Sequence, residues 1–221
     1  MRTIRVTGNG NLKVKPDTTR ITISLEGTFP EYGEALRRSS EDTEKMKDLL
    51  TDFGFGRTDL KTLNFNVETE YESYKEQGAY KPRFVGYKYH HLMKVEFESD
   101  NDRLGKVLYA LANCPVNPEF RLSYTVKDPE AAKNDLLGKA IDDAKERSSV
   151  LTQAAGVTLK AIQSIDYSWG QINFEVAPMN GMLMAEECMA APMADAGSYD
   201  MDIEPDDIEV SDTVTVVWEI E

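Results

Sequence analysis

The 221-residue sequence predicts an α+β fold: an antiparallel sheet packed by two long helices and one short helix. Three observations predict it. Residues 128–156 carry the start, the period and the stop of one long helix. Residues 30–53 carry those of a second. Around and between them, apolar residues alternate with polar ones in runs of the length and period of half-buried strands.

In chain order, residues 3–15 are expected as one or two short strands around a Gly8-Asn9-Gly10 turn, and Pro16-Asp17 as a break. Ile21, Ile23 and Leu25 alternate on the next strand. Thr28 and Glu31 have capping-box spacing, with Pro30 in the first turn. The helix they open runs to Phe53, with Tyr32, Ala35, Leu36, Ser39, Met46 and Leu50 on one face, and Gly54 stops it. Leu63, Phe65, Val67 and Tyr71 mark another strand. The polar stretch Glu72–Arg83, holding Gly78 and Pro82, reads as a hairpin loop. Val85 to Phe97 alternate on a long returning strand. Asp100 caps a short helix carrying Leu104, Val107, Leu108 and Leu111, which ends before Pro115. Phe120, Leu122, Tyr124 and Val126 form a strand that leads into the longest helix.

That helix is the best-marked element. Asp128 is placed to accept the first-turn N–H groups, Pro129 loses no hydrogen bond at its first position, and Gly156 suits a left-handed stop. Leu137, Ala140, Ile141, Ala144, Ser148, Leu151 and Ala155 share one face. This thin stripe, rich in Ala and Ser, suits close packing on a sheet. A strand around Ile162–Trp169 follows, and Val210, Val214, Val216, Trp218 and Ile220 give the last one. The run strand, Pro-Glu, helix, Gly, strand occurs at Ile21–Val67 and again at Leu122–Tyr167, so two β-α-β repeats are one reading of the fold. The whole chain, 1–221, is expected as one domain, with a Met-rich irregular insertion at about 170–206.

Composition narrows the function. The net charge of −14 repels nucleic acid and anionic membrane surfaces, and no apolar run is long enough to span a membrane. The N-terminus has no apolar signal region, which gives a cytoplasmic expectation, or a periplasmic or other extracytoplasmic one if a leader has been removed. Cys114 and Cys188 allow one disulfide but no framework.

No catalytic motif appears. G-x-S-x-G is absent, and Gly8-x-Gly10 lacks the third glycine of a dinucleotide loop. His91 lies on the apolar phase of its strand and reads as a core or interface histidine, with His90 facing the other way. Asp142 and Asp143 read as solvated. The acid run from Asp200 to Asp207 puts Pro205 where a calcium loop needs glycine. Met179, Met182, Met184, Cys188, Met189 and Met193 form the one cluster of soft ligands. They could hold Cu(I) or act as an oxidant sink. Met182, Met184, Met189 and Met193 read first as adaptable contact residues for assembly. No catalytic residue, cofactor site or metal site is assigned.

Several segments taken together carry a resemblance. They are Val6-Thr-Gly8-Asn-Gly10 with Val14-Lys-Pro16-Asp17, then Asp59-Leu-Lys-Thr62-Leu-Asn-Phe65, Gly86-Tyr87 and Leu104-Gly105-Lys-Val107-Leu108. The strongest run from Asp128-Pro129-Glu130 through Ala154-Ala155-Gly156, with Thr213 to Glu219 closing the chain. In this order they resemble the SIMPL-domain family, which includes YggE-like periplasmic proteins and an animal adaptor that associates with a signalling kinase. The resemblance implies an α+β domain, assembly of some bacterial members into rings or channel-like oligomers, and a link of some to oxidative-stress tolerance. It implies no enzymatic activity. The expectation is therefore a non-enzymatic, self-assembling protein; the alternatives are an adaptor for a protein partner and a Met/Cys copper or redox-buffering protein.

Overall fold

The computed structural model describes residues 2–76, 79–167, 172–177 and 203–221. The chain divides into two compact units: Met1–Asp17, Tyr124–Val176 and Pro205–Glu221 form the first, and Thr18–Ser123 with Ala177–Glu204 the second. The described elements confirm an α+β fold with antiparallel strand pairing.

The second unit begins with β2 (Thr18–Phe29), α1 (Tyr32–Thr51) and β3 (Lys61–Glu76), after β1 (Arg2–Val14) of the first unit. β4 (Ala79–Glu98), α2 (Asn101–Ala112) and β5 (Glu119–Thr125) follow. Its strands lie in the order β3-β4-β2-β5. Ile21, Ile23 and Leu25 of β2 and Tyr89, Met93 and Val95 of β4 are buried against Met46 and Leu50 of α1 and Leu104, Val107 and Leu111 of α2. The Tyr89 hydroxyl donates to Asp42 Oδ2 at 2.9 Å, so this core tyrosine keeps a partner.

Two boundaries differ from expectation. Thr28 does not cap α1: Gly27, Thr28 and Phe29 continue β2 opposite Tyr89, Lys88 and Tyr87. Glu31 takes the N-cap position without a side-chain cap bond. The stretch Glu72–Arg83 is not a loop: it is ladder from Glu72↔Arg83 to Glu76↔Ala79. Gly54, at φ +80°, ends the helical segment as expected.

In the first unit, β1 pairs with β8 (Ile208–Ile220) without a register shift, and β8 pairs with β6 (Leu159–Asp166). The sheet order is β1-β8-β6. α3 (Pro129–Ala155) covers one face. Its ends are as expected: Asp128 accepts from Ala131 N–H at 2.9 Å, and Gly156 is left-handed at φ +68°. Its buried face is rotated from the expected one. Leu136, Ala140, Ala144, Ser148 and Thr152 are buried, whereas Leu151 is 50% exposed.

Gly8 and Gly10 explain the rotation. They make no turn, since β1 runs straight through them. A Cβ on Gly8 would lie 2.0 Å from the Ala140 carbonyl oxygen, and one on Gly10 2.3 Å from that of Leu136. Bare backbone on β1 draws in the one helix row whose small residues allow the approach. Trp218, Val216 and Val6 complete this core.

The expected repeat is used in two ways. β2-α1-β3 returns to its own sheet with β4 between the two strands, whereas β5 and β6 fall in different sheets. Part of the expected irregular insertion is regular. β7 (Glu175–Val176) pairs with Tyr124 and Thr125 of β5, and Phe174 is buried with Val126 and Ile208.

Candidate functional site

The second unit carries an arm. β2 makes its last pair with β4 at Phe29↔Tyr87. Among the described residues, β3 and β4 continue as a pair alone from Glu70↔Gly86 to Glu76↔Ala79. At about 3.4 Å per residue this two-stranded extension reaches about 20 Å past its third strand. A register shift between Glu70 and Tyr71 twists it at the base.

The arm is aromatic. Tyr71 and Phe84 meet edge to face at 5.7 Å, Phe84 and Tyr87 at 5.4 Å, and Tyr87 and Tyr32 at 5.5 Å. The chain of rings starts at the first residue of α1 and runs out along the arm, which no described helix covers. On the strand face that carries Glu72 and Arg83, the Arg83 guanidinium lies 5.9 Å from the Tyr74 ring centre and pairs with Glu72. Tyr80, near the tip, is 74% exposed. A two-stranded hairpin is marginal in water by itself, and a contiguous apolar surface of this kind marks a contact site.

Nearer the body, His91 joins β4 to α1 and β3. Thr43 donates its hydroxyl to the Ser39 carbonyl at 2.7 Å, so it can only accept from His91 Nδ1 at 3.0 Å. His91 Nε2 is then left to accept from the Thr62 hydroxyl at 2.9 Å. Desolvation first, then Lys47 and His90, hold the imidazole below its usual pKa. Phe65 lies edge-on at 5.1 Å. A shallow cleft of ≈ 330 Å³ opens beside it, lined by Leu36, Thr43, Thr62 and Phe65. Both ring nitrogens are satisfied and the ring is neutral, as a core histidine requires. His90 faces the other way, half-buried, with Nε2 3.2 Å from Ser24 Oγ and 3.5 Å from Glu26 Oε1.

Met179, Met182, Met184, Cys188, Met189 and Met193 lie outside the described residues, as do Asp200 to Asp202. Cys114 is buried and free. Among the described residues, no three His, Cys, Asp or Glu side chains come together as a metal ion would need. No helix among them is long and apolar enough to cross a membrane.

Sequence reasoning missed the arm and Asp143. Asp143 is not simply solvated: it accepts the Asn9 backbone N–H at 2.7 Å and holds Arg147. The arm had a signal in the aromatics Tyr71, Tyr74, Tyr80 and Phe84 within a polar stretch. Nothing in the sequence pointed to the bond at Asp143.

The family model for SIMPL, described as a protein of unknown function (DUF541), matches residues 4–218. The chain belongs to the SIMPL family. Among SIMPL relatives, the 26 kDa periplasmic immunogenic protein of Brucella melitensis is 26% identical over 163 residues, 73% of this chain. The match spans 65% of that protein's length, just under two thirds. The uncharacterized protein YggE of Escherichia coli K12 is 22% identical over 218 residues, 99% of this chain and 83% of that protein. Neither name describes an enzymatic activity.

Proposed function

We propose that this SIMPL-family protein is a non-enzymatic, self-assembling protein of the periplasm, and that copies join through the β3–β4 arm. The observation that carries the reading is the line of rings from Tyr32 to Tyr71, which continues along the arm with no third strand beside it among the described residues. Aromatic side chains bring large contact area at low entropic cost, and they are enriched at interface centres. The occupant is a second copy of the arm. Within the arm the β3 strand carries Glu70 and Glu72 and the β4 strand Lys81 and Arg83, so each strand of the arm complements the opposite strand of another. The compartment is supported by the name of the Brucella relative. A link to oxidative-stress tolerance belongs to the proposal through family resemblance.

The test is solution mass by light scattering behind a sizing column. Wild-type protein is expected well above the monomer mass at micromolar concentration. Replacing both Tyr80→Lys and Phe84→Lys should weaken association at least tenfold, as loss of a hot-spot pair does. Wild-type protein that stays monomeric across the micromolar range would sink the reading. Capture of a different protein by a monomeric chain would favour the adaptor alternative.

A further inference from the structure

The three-stranded sheet of the first unit ends at β1, whose outer edge has no strand partner among the described residues. One hydrogen bond fixes which backbone groups face out. Asn9 gives its N–H to Asp143 Oδ2, not to β8. In an antiparallel strand, groups of the same parity share a direction, so Arg5 and Thr7 also turn N–H and C=O away from β8. Natural edge strands are protected by proline, bulges or inward charges, because an open ladder recruits another strand. β1 is thirteen residues long and in register throughout, with no proline or bulge, and its charges are confined to Arg2, Arg5 and Lys13.

Beside this edge, α3 presents Val150, 61% exposed, and Leu151, 50% exposed. With Arg5, Thr7, Glu146 and Arg147 they line a groove of ≈ 590 Å³. An open strand edge alone or an apolar pair alone would say little. Here they share one groove.

We propose that this groove is the interface of a two-fold dimer: β1 adds antiparallel to β1 of a second copy, and the two α3 helices pack side by side beneath the joined sheet. The proposal builds on the self-assembly reading and gives it a second, separate surface. The groove is self-complementary. Its charged residues are two acids, Asp143 and Glu146, and two arginines, Arg5 and Arg147, so it is balanced on a chain of net charge −14. Copies that repel one another elsewhere do not repel here. A two-fold axis at Ile4 sets Arg5 of each copy opposite Thr3 of the other, whereas an axis at Arg5 would set like charges directly opposite. α3 runs antiparallel to β1, since Gly10 lies over Leu136 and Ala140 and Gly8 over Ala140 and Ala144. Four residues of α3 pass for every two of β1, so an axis near Ile4 places the segments around Val150 of both helices side by side. Asp143 caps Asn9 and marks where the added ladder stops.

The experiment uses the full chain. Thr3, of the same parity as Arg5 and Thr7, also turns its N–H outward, so Thr3→Pro removes a bond of the added ladder and leaves the β1–β8 ladder intact, and the variant should fold. Leu151→Glu puts a charge into the helix contact. Each is expected to halve the assembled mass with the far-ultraviolet circular dichroism unchanged. In a Cys188→Ser background, Val150→Cys should cross-link to its own counterpart on mild oxidation, and Thr3→Pro should abolish the cross-link. A wild-type oligomer whose mass neither variant changes, with no Val150→Cys cross-link, overturns the dimer and leaves the arm reading standing. A wild-type monomer overturns both. If Thr3→Pro loses its dichroism, Leu151→Glu and the cross-link decide.

Discussion

A methyl group on Gly8 would meet the Ala140 carbonyl oxygen at 2.0 Å and the Ala144 nitrogen at 2.5 Å. Both are backbone atoms and cannot swing aside. Gly8→Ala should therefore cost at the upper end of the overpacking range, about 3 kcal/mol, read as a lower urea midpoint. Gly33→Ala, where nothing lies within 4 Å, is the control and should not destabilise. The sequence showed the glycine pair but not its use. A turn glycine and a contact glycine look alike until the partner is known, and the partner is more than a hundred residues away. His91 was more legible, because its strand phase already placed it inward. Its folded pKa lies below the unfolded 6.5, so the unfolded chain binds the extra proton first. This contribution to stability is complete above about pH 6.5 and is lost as pH falls toward the depressed folded value. Wild-type protein should lose more stability between pH 6.5 and 5 than His91→Gln, measured by urea melts at each pH. Equal losses would mean that the imidazole is not held neutral.

At the scale of elements, caps were readable and faces were not. Asp128, Pro129 and Gly156 act on their own helix ends, so local sequence suffices. Asp128→Ala should cost about 1 kcal/mol, seen as a lower thermal midpoint. The buried row of α3 depends instead on which small side chains meet the glycines of β1. Periodicity allowed the neighbouring row, with Leu151 inward, and the packing chose Thr152. The arm escaped for a related reason. Alternation marks a strand because one face is buried, but Tyr71–Glu76 and Ala79–Phe84 lie on a two-stranded extension that no described helix or third strand covers. Without a buried face, that stretch reads as polar loop.

For the whole molecule, charge sets the conditions of assembly. A net charge of −14 makes copies repel at long range, and at 0.1 M salt that repulsion is screened beyond about 10 Å. Association driven by the aromatic arm should therefore strengthen between 0.02 M and 0.5 M sodium chloride, measured as a rise in weight-average mass at fixed protein concentration. A fall would point to an interface held chiefly by ion pairs. The candidate site was less legible than the fold. Strand and helix signals repeat over many residues, whereas the arm and the β1 edge are defined by which described strands do not lie beside them.

The pairing of β1 with β8 also sets an order of events during synthesis. Arg2 pairs with Ile220 and Val14 with Ile208, so β1 waits for a strand made about two hundred residues later. At about 5–20 residues per second, the wait is roughly 10–40 s. Residues 18–123 leave the ribosome as one continuous piece and can close their own core in that time. Nascent β1 meanwhile has both edges open, which gives a chaperone a defined stretch to hold. It also makes translation stalled before residue 208 the condition under which this chain is most prone to aggregate.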